Sequence, residues 1–314
     1  MKIATPDKYG KIVALGHYQP SRVVTNDELS QRVDTNDKWI RERVGIVSRR
    51  VGGPEDTVVS MGVAASQKAL AAAGLDPSDI DTVILASCSE LTVIPNASTR
   101  IATELGIRPA TIDMNTACSG FSYALAAADH AIRAGASRNA LVIGSEKLTD
   151  ILDWDDRSTC IIFADGAGAA VVTASDTPSI GPVSWGSEPS TMIGMTEGNH
   201  IYQEGQSVFR WATTALAPIA AKICEDAGVR PSELAAFVPH QANLRIIESV
   251  AKKLGATDAV IARDIVESGN TSSASIPMAL SKMIERGEVP SGAPVLLLGF
   301  GGGLTYAGQV VLSP

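Results

Sequence analysis

Short apolar runs and alanine-rich amphipathic stretches alternate along this chain, the pattern of an α/β protein in which buried strands follow helices. One unit reads A-G-L-D-P-S-D-I-D-T-V-I-L-A-S (Ala73–Ser87): the end of an alanine-rich helix, a Pro-Ser-acid turn, then an apolar run expected as a buried strand. Gly74 fits a helix C-terminal cap, where a left-handed residue without Cβ closes the last turn. The same pattern returns 154 positions later as A-G-V-R-P-S-E-L-A-A-F-V-P-H-Q (Ala227–Gln241), with Gly228 as the cap. At an offset of 155, L-V-I-G (Leu141–Gly144) matches L-L-L-G (Leu296–Gly299), and Ala124-Leu125 matches Ala279-Leu280. F-A-D-G-A-G-A-A-V-V (Phe163–Val172) resembles F-G-G-G-L-T-Y-A-G-Q-V-V (Phe300–Val311) at an offset of only 137 to 139. Matches that keep one offset and one order point to two related halves, with about 17 extra residues near Glu146–Ile162 in the first. The halves are expected at residues 1–175 and 176–314. Thr177–Gln206, rich in Gly, Pro, Ser and Thr and without helical periodicity, reads as the connection between them and in part as a lid.

Composition narrows the class. With 314 residues, 45% of them apolar and 19% charged, the chain is globular and long enough for a large core. No run approaches a membrane span, and M-K-I-A-T-P-D-K-Y-G-K-I-V-A-L-G has no signal-peptide pattern, so a cytoplasmic protein is expected. A net charge of −8 argues against nucleic acid as a partner. The cysteines (Cys88, Cys118, Cys160, Cys224) are widely spaced and no two histidines lie close, so metal-ligand spacing is absent and free thiols are expected.

One of those thiols is placed for chemistry. In T-I-D-M-N-T-A-C-S-G-F-S-Y-A-L an extended run to Met114 meets a small-residue turn and then a helix. Cys118 therefore sits at or near a helix N-terminus, where the dipole and free N–H groups are expected to lower a thiol pKa. An isolated cysteine would read as a small core residue. The duplication changes that reading, because the 155 offset sets Ser273 opposite Cys118 and Asn270 opposite Asn115. Two polar turns, each before a helix, would converge on one centre. His240, in F-V-P-H-Q-A-N-L-R-I-I, follows an apolar strand at the end where α/β sheets bind ligands. Cys118, His240 and Asn270, each at a strand-to-helix junction, suit thiol-based acyl chemistry. The run Gly299–Gly303 lacks G-K-[ST], so it is no phosphate loop; it reads equally as a tight turn or as backbone donors for an oxyanion. D-G-A-G-A-A (Asp165–Ala170) reads as a packing motif.

These segments carry a resemblance. Together with T-N-D-K-W-I-R-E-R-V-G-I (Thr35–Ile46), D-R-S-T-C-I-I-F-A-D-G-A-G-A-A-V, G-N-T-S-S-A-S-I-P and G-F-G-G-G-L-T, they make the chain similar to the β-ketoacyl-acyl-carrier-protein synthase III family of thiolase-superfamily condensing enzymes. The resemblance implies a thiolase-like five-layered αβαβα fold, a homodimer, and no metal or cofactor. It implies that the Cys118 thiolate takes an acyl group from acyl-CoA. Malonyl-acyl-carrier protein then loses CO₂, and its carbanion attacks the acyl-enzyme to start fatty acid synthesis. His240 and Asn270 would donate to the enolate oxygen, while the N–H groups of Cys118 and Gly302 would hold the tetrahedral intermediates. Trp39, Arg43 and Arg157 carry over to CoA binding; a surface ion pair with Asp153, Asp155 or Asp156 is the other reading of Arg157. Arg210, Arg245, Lys252 and Lys253 would dock the carrier protein, although a solvated helix face fits Lys252 and Lys253 equally. Ile94, Leu148 and Phe163 carry over to the acyl pocket, Ile94 from the other subunit. Ile94 stands where acetyl-selective relatives often have Phe, which implies room for branched or longer primers. Primer loading would be the same in a polyketide starter-unit synthase or an ester-forming acyltransferase. A non-catalytic acyl-binding partner subunit fits poorly, because all three catalytic positions are filled.

Overall fold

The computed structural model describes residues 8–314; residues 1–7, part of the expected first half, lie outside the described residues. The first sheet is built from β1 (Tyr9–Tyr18), β2 (Thr82–Ala86), β3 (Ala110–Met114), β4 (Asn139–Lys147) and β5 (Asp165–Ser175), in the order β3-β2-β4-β5-β1. The second is built from β6 (Ser184–Ser190), β7 (Ala236–Pro239), β8 (Val260–Ile261), β9 (Pro294–Gly301) and β10 (Gly303–Leu312), in the order β8-β7-β9-β10-β6. The two orders are the same. In each sheet the first three strands run parallel and the next two pair antiparallel.

Strand alternation explains the layering. Ala140 and Val142 of β4, and Val295 and Leu297 of β9, point into one shared core between the sheets. That core is filled by α4 (Gly120–Arg133) and α7 (Ser275–Glu285), through Phe121, Leu125, Ile276 and Leu280. The alternate residues Leu141 and Ile143 face outward onto α2 (Val58–Ala73) and α3 (Ala97–Glu104). Leu296 and Leu298 face α5 (Gly205–Asp226) and α6 (Leu244–Leu254). Helix, sheet, helix, sheet, helix gives five layers, and both faces of each sheet are apolar because both are covered. The caps expected at Gly74 and Gly228 are left-handed, with φ of 65° and 67°.

The halves interlock at two tight crossings. A Cβ on Gly144 of β4 would collide with the carbonyl of Ser273 in the second half, and one on Gly299 of β9 would lie 2.9 Å from Ser119 Cα in the first. The glycines of L-V-I-G and L-L-L-G thus admit the opposite half's turn. D-G-A-G-A-A is a packing motif, with Gly166 and Gly168 against Met278 and Pro277 of α7.

Two departures from the symmetry build the site. β9 turns directly into β10, whereas β4 and β5 are separated by a segment holding the turns Leu148–Ile151 and Arg157–Cys160. With α1 (Asp37–Val44), this segment makes a separate apolar cluster beside the sheets. The stretch Thr177–Gln206 differs from expectation: it is not simply a connection, since it supplies β6 and a hairpin of Ile193–Met195 with Ile201–Gln203. β6 is an edge strand with a polar sequence, S-W-G-S-E-P-S, and Pro189 is tolerated because one side needs no ladder partner. Trp185 anchors it by stacking 5.2 Å from the Tyr123 ring of α4.

Candidate active site

Cys118, His240 and Asn270 come from three separate junctions and line one cavity of about 730 Å³. Cys118 and His240 follow strands, as expected; Asn270 instead follows the short helix Ile265–Ser268 and makes only an isolated bridge with Phe163. Cys118 occupies a short turn, Ala117–Ser119, that leads straight into α4. Ala117 is held at φ 48°, a region that residues with a side chain rarely adopt. Ser272, its counterpart 155 positions later, has φ 48° as well and leads into α7 in the same way. Gly301 closes the space behind the thiol, for a Cβ there would lie 2.7 Å from Cys118 Cβ.

The thiol pKa differs from the sequence expectation. Burial pushes Cys118 up to about 12; a hydrogen bond from the Ser272 hydroxyl pulls it down, the Glu146 carboxylate raises it, and the N–H groups of Cys118 and Gly302 lower it. The helix-start donors are present, but they do not replace the water lost at a site only 8% exposed. The resting group is therefore the thiol.

His240 follows β7 and is 1% exposed. Its N–H donates to Leu298 O at 2.8 Å, its ring meets Phe300 edge-on at 5.2 Å, and Nδ1 lies 2.7 Å from Ser275 Oγ. Burial lowers its pKa to about 3, so the imidazole is neutral at physiological pH. Asn270 is fixed at both ends. Its backbone pairs with Ile162 and Ala164 beside Phe163, and its Oδ1 accepts the Ser272 N–H at 2.8 Å. The Nδ2 hydrogens remain for the cavity.

Around this centre the other candidates divide. Phe163, Trp39, Arg43, Arg210 and Arg245 line the same cavity. Arg157 lies beside it, its guanidinium 5.2 Å from the Trp39 ring centre, with Arg43 at 5.8 Å. Arg157 donates to Asp34 O at 2.7 Å and pairs with none of Asp153, Asp155 and Asp156. Arg245 stacks 4.9 Å over Phe209. Gly302 is not among the cavity-lining residues, and its backbone N–H lowers the Cys118 pKa. Leu148 is not brought to the cavity surface; it is fully buried in the cluster that holds Phe163. Lys252 and Lys253 sit on the exposed last turn of α6 and do not line the cavity, although Lys253 donates to the carbonyl of Thr213, a residue that does. Ile94 stands on a surface loop, 86% exposed.

Sequence reasoning missed Glu146. Its buried carboxylate accepts from Ser87, Cys88, Ser89 and Ser273 and ties the end of β2 to the second half's turn. A charged residue inside an apolar strand run was the available signal. Ser272 and Ser275 were also missed, although the repeat pairs them with Ala117 and Gly120. Among the described residues no group of three His, Cys, Asp or Glu side chains could hold a metal ion, and no helix is long and apolar enough to cross a membrane.

Comparison with known proteins decides the family. Residues 112–189 match the family model described as 3-oxoacyl-[acyl-carrier-protein] synthase III, and residues 224–312 match that of its C-terminal part. The chain is 54% identical over 311 residues to β-ketoacyl-[acyl-carrier-protein] synthase III 4 of Streptomyces coelicolor, covering 97% of this chain and 98% of the relative. The chain belongs to the 3-oxoacyl-[acyl-carrier-protein] synthase III family. Synthase III 2 of Streptomyces avermitilis is 55% identical over 97% of this chain and 99% of its own length. Among solved structures, the priming β-ketosynthase of the R1128 polyketide pathway superimposes with a TM-score of 0.96 at 40% identity, covering 100% and 99% of the two chains. The synthase III of Aquifex aeolicus gives 0.92 at 38% identity, covering 96% and 99%. The synthase III fold is thus the five-layered one described above.

Proposed function

We propose that the chain is an acyltransferase that condenses an acyl-CoA primer with malonyl-acyl-carrier protein, giving a β-ketoacyl-acyl-carrier protein and initiating fatty acid synthesis. The observation that carries this reading is the convergence of Cys118, His240 and Asn270 on one cavity in a chain of this family. In the first stage the Cys118 sulfur attacks the primer thioester, its proton leaves with CoA, and acyl-Cys118 remains. The backbone N–H groups of Cys118 and Gly302 lower the thiol's pKa, and these donors would take up the tetrahedral oxyanion. In the second stage the malonyl group loses CO₂ and its electrons pass to the thioester oxygen as an enolate. His240 and Asn270 hold that oxygen by hydrogen bonds; the carbanion then attacks acyl-Cys118, the C–S bond breaks, and the departing thiolate takes a proton from solvent to restore the thiol.

Trp39 with Arg43 and Arg157 offers a planar, cationic face at the mouth for the CoA adenine and phosphates. Arg210 and Arg245 form the rim that an acidic carrier protein would meet, with Lys252 and Lys253 extending it along α6. The enzyme acts as a homodimer. β3 is an edge strand with Ile112 45% exposed, and the nearby loop exposes Val93 at 80% and Ile94 at 86%. A second copy would cover that apolar edge and bring Ile94 into its neighbour's acyl pocket against Phe163.

The test is intact mass of the protein after incubation with acyl-CoA, followed by CO₂ release from malonyl-acyl-carrier protein. An adduct absent from Cys118→Ala, then CO₂ and a β-ketoacyl carrier protein, is expected. Acyl transfer without CO₂ would sink the condensing assignment in favour of ester formation. A polyketide-priming role is the second reading, favoured by the 0.96 match to a priming ketosynthase. It predicts preference for a polyketide carrier protein over the fatty acid one.

A further inference from the structure

We propose that the Ser275 hydroxyl donates to His240 Nδ1 and so holds the imidazole in the tautomer whose Nε2–H faces the cavity. The inference rests on the condensing reading above and names a positioning residue for it. A neutral imidazole carries one N–H, so its use as an enolate donor depends on which nitrogen holds the hydrogen. Ser275 Oγ is 2.7 Å from Nδ1 and also accepts the Gln241 N–H at 3.2 Å. Among the described residues no third partner is within hydrogen-bond distance of that hydroxyl. If Nδ1 carried the hydrogen, Ser275 Oγ would face two N–H donors, and its own hydrogen would be left without an acceptor in a fully buried site. With Nδ1 as the acceptor, all three groups are satisfied.

The backbone fixes this arrangement. Ser275 is the first residue of α7, set there by the left-handed turn at Ser272, and Gln241 N lies one residue beyond His240. Asn270 is oriented by the parallel device, its Oδ1 occupied by the Ser272 N–H. One short segment, Asn270–Ser275, therefore supplies one donor and polarises the other. Two donors with no acceptor between them suit an oxygen that gains negative charge, and they disfavour a protonated carboxyl in the same position.

The decisive measurement is the nitrogen-15 spectrum of histidine-labelled protein, with the His240 signals assigned by their loss in His240→Gln. Wild type is expected to give an unprotonated Nδ1 and a protonated Nε2 at neutral pH. In Ser275→Ala, a protonated-Nδ1 population should appear and the condensation kcat should fall by about tenfold. That loss is smaller than the 10²–10³ for deleting an oxyanion donor, because part of the population keeps the useful tautomer. Acylation of Cys118 by acyl-CoA should stay within about twofold, which reports an intact fold, and Ser275→Thr should restore both condensation and spectrum. A protonated Nδ1 in wild type overturns the proposal even if no variant folds. So does a Ser275→Ala protein with unchanged tautomer and condensation. The wild-type tautomer is read without turnover, so its being as proposed in a protein that releases no CO₂ would overturn the condensing reading and leave this one standing.

Discussion

Burial dominates the two ionisable groups at the centre, and it acts on them in opposite directions. It raises the Cys118 thiol to about 12 and lowers the His240 imidazole to about 3, so the resting pair is neutral rather than a thiolate–imidazolium pair. Alkylation of Cys118 by iodoacetamide should therefore rise about tenfold per pH unit from 7 to 9, as thiolate does below its pKa; a plateau near pH 7 would mean a thiolate at rest. For His240 the sign follows from the folded value lying below the ordinary 6.5. The unfolded chain takes up a proton that the fold refuses, so this contribution to stability is complete above pH 6.5 and is lost as pH falls toward 3. Between pH 7 and pH 5, wild type should lose about 2 kcal/mol more than His240→Gln in urea unfolding. Equal losses would show His240 to be better solvated than its burial implies. At this scale the sequence pointed to Cys118 and His240, since each follows a strand pattern, and to Asn270 through the polar turn that the repeat sets opposite Cys118. It could not reveal Ser275 or Glu146, whose roles arise only when residues 35 and 127 positions apart meet.

The repeated element is a strand, a left-handed turn and a helix, and the two copies meet back to back. Ala117 and Ser272 share one φ, and Gly144 and Gly299 each receive the other copy's turn. Gly144→Ala forces a methyl group against the Ser273 carbonyl, which is backbone and has no rotamer to yield. A loss of about 2–4 kcal/mol is expected in denaturant unfolding, at the upper end for overpacking. An unchanged midpoint would mean that the halves separate easily. The duplication was legible because buried strands keep their apolar pattern on both faces, so L-V-I-G still resembles L-L-L-G. β6 was not legible for the opposite reason. As an edge strand with one polar side it has neither continuous apolar residues nor helical periodicity, and its place is set by pairing with β10 and by Trp185 stacking on Tyr123.

At the scale of the whole molecule, an acidic chain must meet an acidic carrier protein, and only local positive charge at the rim allows it. Arg245→Glu should raise KM for malonyl-acyl-carrier protein roughly tenfold at low salt, with the gap narrowing as salt is added, and leave KM for a small malonyl thioester unchanged. The dimer makes the sharper demand. Ile94 is 86% exposed and does not line the Cys118 cavity of its own chain, so within one chain its identity would have no bearing on primer choice. In the proposed dimer along β3 it would become part of the neighbour's pocket, and its size would then limit the acyl chain. Ile94→Phe should shift kcat/KM toward acetyl-CoA over a branched primer by about tenfold, the scale for filling an apolar pocket by a few carbons. Ile112→Asp should yield monomers in sedimentation and abolish that preference. If the monomer retains wild-type primer selectivity, the pocket is complete within one chain and Ile94 has no place in it.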